Sequence, residues 1–156
     1  MQGLGGQPFF STFLFRDGFA KLHDPLSSDG ELWAAWAPVL KDLPEKARSR
    51  FRERMPCAEP YTFTHGDLFT GNIMVKDGKL AGILDWESSG YFPVWWEFTC
   101  AGIGLGEEDK QWKSLLQKHL SQHKEGHEFW LDLYALSAYP DLNERGLKVL
   151  AQLLCN

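Results

Sequence analysis

The sequence predicts a mixed α+β fold that is mostly helical, with a β-hairpin holding a polar site at one end. Three observations carry that prediction. Two apolar runs, Asn72 to Lys76 and Lys79 to Leu84, flank Asp77-Gly78, the dipeptide that most strongly favours a two-residue hairpin turn. Beyond Pro93, apolar residues recur at three- and four-residue spacing to the end of the chain, the period of amphipathic helices. Seven Trp and eleven Phe among 156 residues, with 44% apolar content, indicate one domain whose core is built from large rings. A chain of this length buries roughly 70% of the surface it exposes when unfolded.

Charge narrows the choice of partner. A net charge of −5 argues against nucleic acid and anionic membrane, both of which need clustered Lys and Arg. There is no apolar run of spanning length and no signal-peptide pattern at the start, so no membrane partner is expected. Cys57, Cys100 and Cys155 are odd in number, far apart and outside any C-x-x-C, which fits a reduced, cytoplasmic setting.

Taken in order, residues 1–22 read as a flexible N-terminal arm and residues 23–156 as the folded unit. Gly3-Leu4-Gly5-Gly6 with Ala20-Lys21 superficially resembles a phosphate-covering loop and its Lys, but no strand precedes the glycines and Glu31 follows Lys21 too closely for an intervening helix. Ser28 or Asp29 caps a helix over about 31–37. Asp42-Leu43-Pro44-Glu45 reads as an N-cap, a first-turn Pro and a capping-box Glu, opening a helix to about Met55 whose Lys and Arg residues form a solvated face. Tyr61 to Thr64 is a short strand leading into the turn His65-Gly66-Asp67.

After Pro93 the expected helices are 94–103, 107–120, 128–137 and 142–153. Their core positions are Trp95, Phe98, Trp112, Leu115, Leu116, Phe129, Trp130, Leu133, Leu147, Leu150 and Leu154. His119, His123 and His127 have the spacing to align on one helix and bind zinc, but Gly126 is expected to interrupt that helix and no acidic residue sits beside them. Cys100 reads as a buried small residue, since no base lies at a recognisable spacing.

The hairpin assembles the candidate site. If Lys76 faces Lys79, Asn72 faces Ile83 and Asp85 falls opposite Thr70, inside the loop that carries Asp67. Asp67, Asn72 and Asp85 then converge. Two carboxylates and an amide suit a hard cation such as Mg²⁺, which binds through one or two carboxylates plus substrate phosphates. The remaining carboxylate is free to act as a base, the arrangement used in kinase-type phosphoryl transfer.

The residues themselves carry a resemblance. His65-Gly66-Asp67-Leu68-x-x-x-Asn72, followed by Ile83-Leu84-Asp85-Trp86-Glu87, resembles the catalytic loop and metal-binding segment of the aminoglycoside phosphotransferase and choline kinase-like family. Gly90-Tyr91-Phe92-Pro93-x-x-Trp96-Glu97-Phe98 resembles the family's next segment, in which a Pro leads into a helix, and Gln7-Pro8-Phe9-Phe10 resembles the linker between its lobes. The resemblance implies that Asp67 is the catalytic base, that Asn72 and Asp85 are the metal ligands, and that His65 holds the catalytic loop in shape. It also implies the C-terminal, larger lobe of a kinase-like phosphotransferase.

The activity so implied is ATP- and Mg²⁺-dependent transfer of phosphate to the hydroxyl of a small molecule. In the family a smaller lobe supplies the Gly-rich loop over the phosphates and a Lys–Glu pair, so ATP binding by this chain alone is expected to be weak. Residues 85–132 carry nine acidic against four basic side chains, which suits a cationic acceptor, although solvated helix faces explain the same count. A second reading is isomerisation or cyclisation by paired carboxylates, in a cleft floored by Asp67, Asp85 and His65 and walled by Trp86, Tyr91 and Trp95. A third is a non-catalytic binding module. In either of these a homo-oligomer or a second chain could cover the surface where the smaller lobe docks.

Overall fold

Helices take up most of the regular structure. They are α1 (Thr12–Phe15), α2 (Asp29–Trp36), α3 (Glu45–Glu53), α4 (Trp96–Cys100), α5 (Glu107–His119), α6 (Lys124–Leu136) and α7 (Glu144–Leu154). Four short strands join them: β1 (Tyr61–Thr64), β2 (Ile73–Lys76), β3 (Lys79–Ile83) and β4 (Gly90–Pro93). The computed structural model describes residues 1–9, 11–16 and 22–155. Ala20 and Lys21, weighed above as part of a phosphate loop, lie outside the described residues.

Ser28 caps α2, its Oγ accepting from the amide of Glu31 at 3.2 Å, and the Glu31 carboxylate reaches back to the amide of Ser27 at 2.6 Å. The box expected at Asp42 does not form. Pro44 takes the N-cap position in an extended conformation, with φ −52° and ψ 136°, so Asp42 lies two residues outside and no side chain caps α3. At the far end of the chain, Asn143 Oδ1 accepts from Gly146 N at 2.9 Å and caps α7.

Several expected helix boundaries moved, and two of the shifts have a local cause. Gly90–Pro93 is a strand, so the helix expected from Val94 begins only at Trp96. The helix expected from Glu128 starts at Lys124, because Gly126 sits inside it. A Cβ added at Gly126 would lie 2.4 Å from Cγ of Trp95, which is 2% exposed, so the missing side chain is what lets α6 close on that ring. Gly126→Ala is therefore expected to cost about 1–3 kcal/mol through overpacking. The added helix propensity of Ala offsets about 1 kcal/mol at most. Urea denaturation measures the balance.

The strands form two separate antiparallel pairs. In the hairpin, Asp77 and Gly78 both have positive φ, 53° and 71°, as the two-residue turn requires. Lys76 pairs with Lys79 and Val75 with Leu80. A bulge then shifts the register: Ala81 is the extra residue, Met74 pairs with Gly82 and Ile73 with Ile83. Asn72 consequently meets Leu84, whose amide donates to the Asn72 carbonyl at 2.9 Å, and not Ile83 as the unbroken register predicts. Met74, Val75 and Leu80 are exposed on this hairpin.

The other pair joins β1 to β4, with Tyr61 opposite Pro93 and Thr64 opposite Gly90. On the far side of β4, Gln2 exchanges hydrogen bonds with Tyr91 at 3.0 and 2.8 Å. The N-terminal residues are thus docked on the sheet. Met1 is buried, and Leu14 and Phe15 are fully buried in the same core as the later helices.

That core is aromatic. Phe51 of α3 stacks on Phe129 of α6 with centroids 4.5 Å apart and planes 7° from parallel, and Trp36 packs on the same Phe129 at 5.7 Å. Trp96 bridges Trp95 and Trp130 at 6.1 and 5.8 Å. Of the residues expected inside, Trp95, Phe98, Phe129, Trp130 and Leu133 are buried, whereas Leu115, Leu147 and Leu154 are exposed. The last three lie on the solvent side of α5 and α7, where the three- and four-residue spacing continues. Buried Asp132 ties three helices together, accepting from Arg54 at 3.0 Å and from Arg145 at 2.8 Å.

The three histidines do not share a helix. His119 ends α5, His123 precedes α6, and His127 lies within α6. Among the described residues no cluster of three or more His, Cys, Asp or Glu could hold a metal ion, and no helix is long and apolar enough to cross a membrane.

Candidate functional site

The loop after β1 is braced from three sides. Gly66 has φ +82°, and a Cβ there would lie 3.0 Å from the Ser88 carbonyl, so glycine alone fits without strain. Glu97, from α4, accepts the amides of His65 at 2.7 Å and Gly66 at 3.4 Å through one carboxylate oxygen. Its other oxygen is buried without a partner, and burial raises the Glu97 pKa against the opposing pull of those amides. From α5, Trp112 donates to the Leu68 carbonyl at 2.9 Å.

His65 is buried and engages both ring nitrogens. Nδ1 accepts from the amide of Asp67 at 3.2 Å, which places the proton on Nε2, and Nε2 donates to the Leu84 carbonyl at 2.9 Å. One imidazole therefore ties the loop carrying Asp67 to the residue before Asp85. Trp86 covers the ring, with centroids 4.6 Å apart. His65→Ala is expected to lower stability by about 1–3 kcal/mol by leaving that amide and that carbonyl unpaired. Thermal denaturation compared with His65→Gln measures it.

Asn72 is buried and donates from Nδ2 to the Asp67 backbone carbonyl at 2.9 Å and to its carboxylate Oδ2 at 3.4 Å. Asp67 and Asn72 are thus brought together. Asp85 is exposed and holds φ +59°, a conformation that Asp tolerates better than most residues and that marks strain worth explaining by function.

The aromatic cleft expected from Trp86, Tyr91 and Trp95 does not exist as a unit. Trp95 is in the core against Gly126, while Trp86 stacks on Phe63 at 5.9 Å and Phe63 meets Tyr91 edge-on at 5.9 Å, forming an exposed patch. Asp67 instead lines a pocket of about 10 Å³ with Phe13, Gly66, Cys100, Ile103, Leu105 and Lys113. That is room for about one water or one hydroxyl group. Burial pushes the Cys100 thiol well up, so it is an inert wall. Lys113 is 6% exposed and is held by Asp109 at 3.2 Å and the Ile103 carbonyl at 2.6 Å.

Glu97, Trp112 and Lys113 are not among the site residues expected from the sequence, where Trp112 reads only as a core position. Each comes from a helix more than twenty residues beyond the loop, and no local spacing reports contacts of that range. The segment Pro93-x-x-Trp96-Glu97 was legible as a helix start, but the role of its carboxylate was not.

Asp67 and Asn72 are thus hydrogen-bonded in a loop braced from α4 and α5, and Asp85 follows two residues after the end of β3. The chain belongs to the phosphotransferase enzyme family (APH), whose family model matches residues 9–130. Among curated proteins, an aminoglycoside 3'-phosphotransferase of Enterococcus faecalis is 38% identical to it over 50 residues, which is 32% of this chain and 19% of that protein. The match thus spans about a fifth of the relative's length. No solved structure matches significantly.

Proposed function

We propose that this chain is the larger lobe of a kinase-like phosphotransferase and that Asp67 is the base for phosphate transfer from ATP to a small-molecule hydroxyl. The hydroxyl proton passes to the Asp67 carboxylate as the oxygen forms its bond to phosphorus and the bond to ADP breaks. Positioning dominates such a reaction, because little covalent chemistry falls to the protein. Glu97, His65 and Asn72 supply it by holding the loop backbone, the Asp67 amide and the Asp67 carboxylate.

The observation that carries this reading is the hydrogen bond from Asn72 Nδ2 to Asp67. It orients the carboxylate and turns Asn72 Oδ1 away from that contact, as an acceptor for which no protein donor is found among the described residues. Asn72 Oδ1 and the exposed Asp85 carboxylate are hard oxygen donors and fit Mg²⁺. Bound there with ATP, the cation would neutralise charge on the phosphate oxygens.

Among the described residues no glycine-rich loop lies between two strands; Leu4–Gly6 form a single 3₁₀ turn. ATP affinity is expected to be no better than about millimolar, near −4 kcal/mol. Calorimetric titration tests the reading. Weak heat that requires Mg²⁺ and disappears in Asp85→Asn supports it, whereas binding indifferent to both Mg²⁺ and Asp85→Asn overturns it.

A further inference from the structure

The small pocket at Asp67 has a larger neighbour. Phe13, Ile103 and Leu105 also line a second, larger cleft of about 550 Å³, together with Arg16, Gly104, Lys110, Trp130 and Tyr134. The two spaces adjoin, with those three side chains as common walls. The first has room for one hydroxyl group, and the second is in the size range of small-molecule sites.

The charge of this cleft runs opposite to that of the segment around it. Asp67 is the one acidic side chain lining either space among the described residues. Lys113 is already neutralised by Asp109, but Arg16 and Lys110 form no ion pair among the described residues. Both are held in place by other means. The Arg16 guanidinium carbon lies 3.8 Å from the centroid of Tyr134, so the ring supports its flat face and leaves its N–H edge available. The stem of Lys110 lies against Gly104 so closely that a Cβ there would be 2.4 Å from its Cγ. Between them the walls are apolar: Phe13, whose carbonyl accepts from Trp130 Nε1 at 3.2 Å, with Trp130, Leu105 and Ile103.

We propose that the acceptor is an anion: a hydroxy compound with an apolar or aromatic body and an oxyanion, its hydroxyl at Asp67 and its oxyanion at Arg16 and Lys110. An Arg edge beside a Lys ammonium is the arrangement that binds carboxylate or phosphate oxygens. The same pair repels ammonium groups, so an amino sugar is disfavoured in this cleft despite the acidic count of residues 85–132. The proposal rests on Asp67 as the reacting end.

Ligand-detected NMR on the full chain tests it with three probes of one shape: 4-(2-hydroxyethyl)benzoate, the corresponding benzamide and the corresponding benzylamine. The benzoate is expected to bind about tenfold more tightly than the amide, and the amine most weakly. The double variant Arg16→Gln/Lys110→Gln, at two exposed positions, should bring all three within about twofold while its circular dichroism is unchanged. Equal affinities in the native chain, or a preference for the amine, overturn the proposal. If the double variant unfolds, the salt dependence of benzoate binding to the native chain decides instead: affinity must fall with ionic strength, and a flat response overturns it. Asp67→Asn separates the two readings, because benzoate preference retained alongside undiminished phosphate transfer removes Asp67 as base and leaves the anion site standing.

Discussion

Asp67→Asn is expected to lower whatever phosphate transfer the chain supports by about 10²–10⁴-fold, the usual contribution of a positioned base. The amide matches the carboxylate in shape and still offers an oxygen to Asn72 Nδ2, so the loop keeps its contacts. It cannot accept a proton. Stability should change by less than about 1 kcal/mol, as for substitutions outside the core. ADP release in the presence of a hydroxyl acceptor, read beside a urea midpoint, distinguishes a lost base from a lost fold: a variant that unfolds makes Asp67 a structural anchor of the loop.

The largest stability effect belongs to Phe51. It is fully buried, stacks face to face on Phe129, and lies 6.2 Å from the ring of Trp33, so one side chain joins α2, α3 and α6. Phe51→Ala is expected to destabilise by about 3–5 kcal/mol, because the neighbouring rings are too rigid to fill the space left. For a domain whose total stability is of order 5–15 kcal/mol, that is a large share. Chemical denaturation of Phe51→Ala and Phe51→Leu checks it, and a loss below about 1 kcal/mol in the alanine variant would mean that the core repacks.

The parts of the fold that were legible in the sequence are those set by neighbours along the chain. Asp77-Gly78 turned where a two-residue hairpin must, β1 spans Tyr61–Thr64 as read, and Ser28 caps its helix, each from the chemistry of a few adjacent residues. What was not legible depends on distant partners. Strand β4 forms because β1 and Gln2 supply hydrogen bonds on either side of Tyr91 and Phe92, and nothing within Gly90–Pro93 announces it. The bulge at Ala81 is decided by how the hairpin meets the loop below it, not by its own alternation. Gly126 reads as a helix breaker until Trp95 is seen filling the space of its missing Cβ.

The candidate site divides in the same way. The residues of the motif, His65, Asp67, Asn72 and Asp85, were identifiable because they lie within one short stretch of chain. The side chains that brace them, Glu97 and Trp112, arrive from α4 and α5, and no local pattern reports that bracing contact. A charge count along the chain is local in the same sense: residues 85–132 are counted whichever way they face, and Arg16, which lines the adjoining cleft from the other end of the chain, does not enter the count.

The pairing of β1 with β4 has a consequence for how the molecule comes to be folded. Those strands bracket residues 65–89, so His65, Asp67, Asn72 and Asp85 all lie within the single loop that the pairing closes. Closing a loop of that length costs conformational entropy before the long-range contacts return any stabilisation. The β2–β3 hairpin inside it can form in about microseconds from local turn chemistry. It has nothing to dock against until β4 and α4 bring Glu97 to the amides of His65 and Gly66. Assembly of the site is therefore expected late in folding, after the local turn of the hairpin has formed.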